Sequence, residues 1–397
     1  MKNKKILFVT YGGGHARLLK ELIKNFDEKD YKVLALTSAY TIFNEEVVLG
    51  ISDIFNSLRT EDQELVNKVG EFLIKNKLTP SFDKETLLYY GIGSLDFVKK
   101  HSFSALSTFH WNRHLFLQVF AMRRFLEINL EYRMIVTTTS PRFERASILC
   151  AKELSLINIQ IDDGFANRET LFPSQNIIVA SDIEKNRLLT RGADENIFSL
   201  GNPILESYIN KDNISENNRE IYFCPHKDKL YNDQGNEIFS GDDRQNHILE
   251  FSALAKLLKN NPDYTLIVRP HPNDAVEEYS EFKSICEFEI VSPLEEDLKT
   301  ALGKAALWIT PASTTGLQAS LFGVPTITYT FRNSDIHPVW RMTKKPFIFY
   351  DSLETLSLGL ESLIIKKFNN RYSNNWAFLE NSNLKITNFI KTKFNEI

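Results

Sequence analysis

The chain has 397 residues, 43% hydrophobic and 25% charged, with 47 Lys and Arg against 51 Asp and Glu for a net charge of −4. That profile is ordinary for a soluble globular protein of two or three domains; it gives no electrostatic footprint for nucleic acid and is compatible with peripheral contact at a membrane surface. No apolar stretch reaches the roughly 18 residues of a membrane span, the N-terminal apolar run is too short for a signal peptide, and Cys150, Cys224 and Cys286 have neither disulfide-framework nor metal-ligand spacing, so free thiols in a reducing cytoplasm are expected.

In chain order, KKILFVT predicts a strand, and YGGGHARLLKELIKNF after it predicts a glycine turn and a helix. Leu18, Leu19, Leu22, Ile23 and Phe26 recur there at helical spacing. YKVLALTS completes a parallel β-α-β unit. Residues 60–134 read as mainly helical and contain the aromatic and basic stretch STFHWNRHLFLQVFAMRRFLEINLEYR, a core helix with scope for an acceptor or membrane-surface contact. MIVTTTS, LINIQID, NIIVASD and IFSLGNP continue an alternation of strand and helix that argues for an open α/β sheet. A polar gap, NKDNISENNRE, then opens a second domain, in which IYFCPHKD, YTLIVRPHPND, FEIVSP, ALWITPAS and VPTITYTFRN are strands. DKLYNDQGNEIFSGDDRQN (228–246) predicts a long loop, and residues 351–397 read as helical, packing back across the domains.

The chemistry-bearing residues fall at the strand exits. Gly13, Gly14 and His15 lie at a strand–helix turn, where glycines allow close backbone approach and a helix N-terminus favours an anion. Arg17 occupies the last glycine position of G-x-G-x-x-G and no Gly-Lys-Ser/Thr follows, so this is neither a dinucleotide fingerprint nor a P-loop. RPHPND carries Arg269, His271 and Asn273 with Pro272 pinning the backbone; a cation and an imidazole suit binding and protonating a leaving phosphate. ITPASTTG runs a strand into Ser313, Thr314 and Thr315, hydroxyls that either cap a helix or join its free N–H groups in holding a phosphate. Glu295 and Glu296 stand at an expected helix start, placed for the dipole or for the hydroxyls of a ribose. His226 and Lys227 sit at another strand exit, as a phosphate contact or as surface loop. GDDRQ is expected to be solvated loop. IQIDDGF ends a strand in Asp162, Asp163 and Gly164, by itself a turn signature.

The order Asp162-Asp163-Gly164, His271-Pro272, Ser313-Thr314 resembles the three short motifs of bacterial sialyltransferases and polysialyltransferases: an acidic pair with Gly, a His-Pro, and a Ser-Ser/Thr pair. The resemblance implies the GT-B fold, an α/β architecture of two Rossmann-like domains whose parallel sheets face a cleft. Residues 1–205 would be the acceptor side and 206–350 the nucleotide-sugar-binding domain. It also implies a metal-independent inverting glycosyltransferase that moves a CMP-activated nonulosonic acid or Kdo to a surface glycan or glycolipid. The donor would be a co-substrate, with no further cofactor, and the enzyme would work in the cytoplasm, at the inner membrane face. Asp162, with Asp163 as the alternative, would be the general base. His271 would meet the departing phosphate, Ser313 and Thr314 would bind it, and Glu295 or Glu296 would meet the cytidine ribose. Thr314 and Thr315 depart from the two serines of that pattern.

RGADENIFSLGNPILESY (191–208) resembles the interdomain crossover of many bacterial GT-B enzymes, including epimerases of UDP-GlcNAc and glycerophosphotransferases. GNP and TTGLQASLFGVP resemble the epimerase segments GNP and SGGxQEE, with Ala319 and Ser320 where acidic residues stand. A UDP-GlcNAc 2-epimerase-like or other GT-B sugar-nucleotide enzyme, or a polyol-phosphate transferase, is therefore the alternative.

Overall fold

Ile6, Leu7, Phe8 and Val9 are all buried, without the alternation of a half-exposed strand. A parallel strand covered on both faces has this character. It is an inner strand of the first sheet in the computed structural model, which describes residues 4–11, 13–43, 48–76, 83–101, 119–138, 143–162, 174–190, 196–209, 217–225, 229–231, 237–239, 243–271, 274, 276–311, 313–329, 348–367 and 379–397. The chain divides into unit 1, Met1–Ile204 with Phe378–Ile397, and unit 2, Leu205–Ala377.

Unit 1 begins with β1 (Lys5–Thr10), α1 (Gly13–Ile23), β2 (Tyr31–Ala35) and β3 (Val48–Leu49). The helices α2 (Ile51–Ser57), α3 (Thr60–Lys75), α4 (Lys84–His101) and α5 (Val119–Ile128) follow. β4 (Tyr132–Thr138), α6 (Phe143–Glu153), β5 (Ile157–Ile161), β6 (Asn176–Val179), α7 (Asp182–Thr190), β7 (Ile197–Ser199) and α8 (Pro203–Glu206) complete the first pass. The sheet is parallel throughout, in the order β3-β2-β1-β4-β5-β6-β7. One face packs Leu7, Val9 and Ile135 against Ile54, Ile92, Phe125 and Phe143. The other packs Ile6, Phe8 and Val136 against Leu18, Leu19 and Leu22 of α1, and against Ile386 and Ile390. The last two come from the chain's final helix, numbered α13 below, which Asn383 ties to Glu21 O at 2.9 Å.

Unit 2 contains β8 (Glu220–Phe223), β9 (Lys229–Tyr231), β10 (Glu237–Phe239), α9 (Asp243–Asn260), β11 (Thr265–Val268), β12 (Glu289–Ile290), α10 (Leu298–Lys304), β13 (Ala305–Pro311), α11 (Thr314–Phe322), β14 (Thr326–Tyr329), β15 (Ile348–Tyr350) and α12 (Leu353–Ser362). α13 (Ser382–Asn395) then returns to unit 1. The main sheet is again parallel, ordered β12-β11-β8-β13-β14-β15. Phe223, Val268 and Ile309 bury one face under α9 and α12, while Tyr222, Ile267 and Trp308 bury the other under α10 and α11. Tyr222 and Trp308 stack at 5.2 Å between ring centroids.

Three local expectations are corrected. The stretch 228–246 is not a continuous loop: β9 and β10 pair antiparallel, with Leu230 opposite Ile238, and α9 takes up its tail. Gly13 and Gly14 form the first turn of α1 rather than a loop before it. Glu295 and Glu296 precede their helix: their N–H groups donate to Ser292 O, and Asp297 caps α10 by accepting from Lys299 N and Thr300 N. Among the described residues no helix is long and apolar enough to cross a membrane.

Candidate functional site

Both main sheets have the doubly wound order in which the chain reverses direction across the sheet, at β1/β4 in unit 1 and at β8/β13 in unit 2. In open parallel sheets ligands bind at the carboxyl ends of the strands, at this reversal. At both reversals the strands end in buried polar side chains, Thr10 and Thr138 in unit 1 and Arg269 and Thr310 in unit 2.

In unit 1, Val9 pairs with Thr137, which sets Thr10 and Thr138 side by side at the ends of β1 and β4. Both hydroxyls are buried with no hydrogen-bond partner among the described residues. The chain then turns into α1, and Glu144, from the first turn of α6, is wholly buried beneath that turn. Its Oε1 accepts from Tyr11 N at 2.7 Å, so the carboxylate braces the turn that carries His15. Burial pushes the His15 imidazole below its ordinary pKa of 6.5, and Glu144 opposes this by favouring the protonated ring. A neutral imidazole beside a buried carboxylate can take a proton and hold it. Asp162 lies one strand further on, just past β5, buried, with its N–H donating to Ile178 O at 2.7 Å. Asp163 and Gly164 lie outside the described residues.

In unit 2, Arg269 leaves β11 with its N–H on Phe223 O and its side chain only 7% exposed. Nη2 donates to the Glu296 carbonyl at 2.9 Å, while Nη1 is buried with no hydrogen-bond partner among the described residues. Two strands away, about 10 Å at normal strand spacing, β13 runs into α11. Ser313 caps that helix: its Oγ accepts from Thr315 N at 3.2 Å and lies 2.7 Å from Thr315 Oγ1. Thr314 and Thr315 fill the first turn, leaving helix N–H groups available to an anion. Beneath α11, Thr310 pairs with Thr328 in the ladder. Thr310 donates to Cys224 O at 3.2 Å, and the Thr328 hydroxyl is buried without a partner among the described residues.

The remaining expected residues of unit 2 are exposed, engaged in local contacts or outside the described residues. His271 is exposed, and its carbonyl accepts from Asp274 N at 2.9 Å. Glu295 is exposed in its turn. Glu296 is engaged within the fold, Oε2 accepting from Tyr222 OH at 3.0 Å and Oε1 from Lys304 Nζ at 2.5 Å. His226, Lys227, Pro272 and Asn273 lie outside the described residues. Among the described residues no cluster of His, Cys, Asp and Glu has the makings of a metal site. Glu144, Thr10 and Thr138 were not singled out from the sequence. Glu144 reads there as a routine first-turn acid, and only the adjacency of β1 and β4 gives it a place at the edge.

No family model matches the chain, and no curated protein matches it. Solved structures match it end to end. The UDP-GlcNAc 2-epimerase from Neisseria meningitidis bound to UDP-GlcNAc is 12% identical, with a TM-score of 0.58, covering 98% of this chain and 100% of that one. The UDP-GlcNAc 2-epimerase from Methanocaldococcus jannaschii is 15% identical at a TM-score of 0.56, covering 98% and 99%. The calicheamicin glycosyltransferase CalG4 is 13% identical at 0.53, covering 100% of both. At these identities the likeness establishes the fold: two Rossmann-like α/β domains with parallel sheets, of GT-B type.

The expected transfer of a CMP-activated nonulosonic acid or Kdo is overturned by these neighbours, whose epimerases are enzymes of UDP-GlcNAc. The reason lies in the motifs. Asp-Gly, His-Pro and Ser-Thr at the carboxyl ends of parallel strands are what this fold places there for turning, capping and anion contact alike. Their order reports the architecture rather than the nucleotide.

Proposed function

We propose that the chain is a sugar-nucleotide enzyme acting on a UDP-activated sugar, in the manner of a UDP-GlcNAc 2-epimerase. The observation that carries this reading is the edge of unit 2. A buried guanidinium with a spare donor at Nη1 and the N-terminus of α11 with its hydroxyls lie about two strand spacings apart. Two separated cationic or dipolar donors suit a diphosphate, with charge on two phosphorus centres, better than a monophosphate. The full-length likeness to epimerases of UDP-GlcNAc supports the same donor class.

Calorimetric titration with UDP and with CMP tests the nucleotide. UDP is expected to bind at least about tenfold more tightly, and Arg269→Ala to weaken UDP by about ten- to a hundredfold, the cost of losing a charged hydrogen-bond donor. Equal affinity for CMP, or an Arg269→Ala variant that binds UDP as wild type does, sinks the assignment. One observation favours a second reading, glycosyl transfer from the same donor class: Ala319 and Ser320 stand where the epimerase segment has acids, and both are buried in α11. Dependence of UDP-GlcNAc turnover on an added acceptor separates the two.

A further inference from the structure

α9 buries two ionisable side chains that the edge contacts described above do not use. His247 is 6% exposed and Glu250 1%. His247 Nδ1 lies 2.6 Å from Glu250 Oε2, and the hydroxyl of fully buried Tyr329 donates to Glu250 Oε1. The His247 ring also meets Tyr279 edge-on at 5.4 Å between centroids. Tyr279, also buried, donates its hydroxyl to Asp274 Oδ2 at 2.9 Å, and Asp274 N–H donates to the His271 carbonyl at 2.9 Å. A continuous chain of contacts thus joins the end of β14 to the turn after β11.

Its two ends are informative. Tyr329 pairs with Pro311, two residues before the Ser313 cap of α11. Asp274 holds the turn that begins at Arg269. Burying a carboxylate, an imidazole and two phenols costs more than filling the same volume with leucine, so what such a network supplies is defined geometry more than stability.

We propose that Glu250, with His247, Tyr329, Tyr279 and Asp274, is a positioning network that fixes the His271 turn relative to the α11 cap, and so sets the spacing at which the unit 2 edge receives a nucleoside diphosphate. The proposal rests on the UDP reading above for its ligand, but not for its geometry. None of the five residues is assigned contact with substrate; they act through Arg269, His271 and the α11 turn.

The test uses the full chain in four forms: wild type, Tyr279→Phe, Glu250→Gln and Phe288→Leu. Phe288 belongs to the same core and stacks on Phe251, and it takes no part in the hydrogen bonds and ring contact that make up the network. Two quantities are measured: the His271 Cε1–H resonance in ligand-free protein and the calorimetric affinity for UDP. Tyr279→Phe and Glu250→Gln are expected to move the His271 resonance and weaken UDP about tenfold. Phe288→Leu should lower the melting temperature and leave both quantities at wild-type values. The proposal is overturned if the two network variants keep the wild-type resonance, or if Phe288→Leu weakens UDP as much as they do. Should wild type bind no UDP, the functional reading fails, and the resonance alone still decides the network: moved in Tyr279→Phe, it stands; unmoved, it falls.

Discussion

His15 and Glu144 show how a residue acquires a role from its neighbours. The His15 imidazole is held below 6.5 by burial, and the Glu144 carboxylate is the group that pulls it back up. Replacing Glu144 with Gln removes that pull, so NMR titration should find His15 below 6.5 in wild type and lower still in the variant. The stability consequence has a definite sign. Because the folded value lies below the unfolded one, the unfolded chain binds this proton more readily, and the contribution present above pH 6.5 is lost as pH falls through the folded value. Thermal melts at pH 7 and pH 5 should therefore show a smaller acid destabilisation in His15→Asn than in wild type; an equal loss would mean the ring is not buried as described. That His15, Arg269 and Ser313 stand at strand exits was legible in the sequence, since glycines, prolines and hydroxyls there announce a turn. Glu144 and Glu250 were not. An acid in a helix carries no sequence mark of whether it faces water or a neighbouring strand, and here both are buried.

Among the elements, the helical layer of unit 1 tests how tightly the chain is packed. A Cβ on Gly91 of α4 would lie 2.8 Å from both Cγ1 and the carbonyl oxygen of Val66 on α3. Alanine in a helix interior gains up to about 1 kcal/mol over glycine, but overpacking against backbone costs about 1–3 kcal/mol. The second effect should win, and Gly91→Ala should lower the melting temperature by several degrees; a rise would show that α3 and α4 can part. Most strands of both parallel sheets were readable because parallel strands are short apolar runs between turn signals, whereas the short edge strands β3 and β15 were not read. The β9–β10 pair was missed because its strands are only three residues long, Lys229–Tyr231 and Glu237–Phe239, inside a polar stretch. The start of α10 was misplaced because two acids suggested a first turn while a third, Asp297, supplied the cap.

At the scale of the whole molecule, the chain leaves unit 1, builds unit 2 and comes back. α13 completes the face of the first sheet under α1, with Ile386 and Ile390 fully buried. Each such side chain contributes about 1.5–3 kcal/mol, so ending the chain at residue 378 should cost unit 1 at least about 3 kcal/mol, read as a lower denaturation midpoint by circular dichroism. An unchanged midpoint would mean α13 is dispensable. The alternation of strand and helix made the two-sheet architecture readable. The nucleotide was not, because a phosphate-binding strand exit looks the same whether uridine or cytidine is attached to it. The most direct measurement is therefore turnover, followed by proton NMR, of purified protein with UDP-GlcNAc and, in parallel, a CMP-activated sugar. Conversion of UDP-GlcNAc, lost in Arg269→Ala, is the expected result; conversion of the CMP-sugar with UDP-GlcNAc untouched would contradict it.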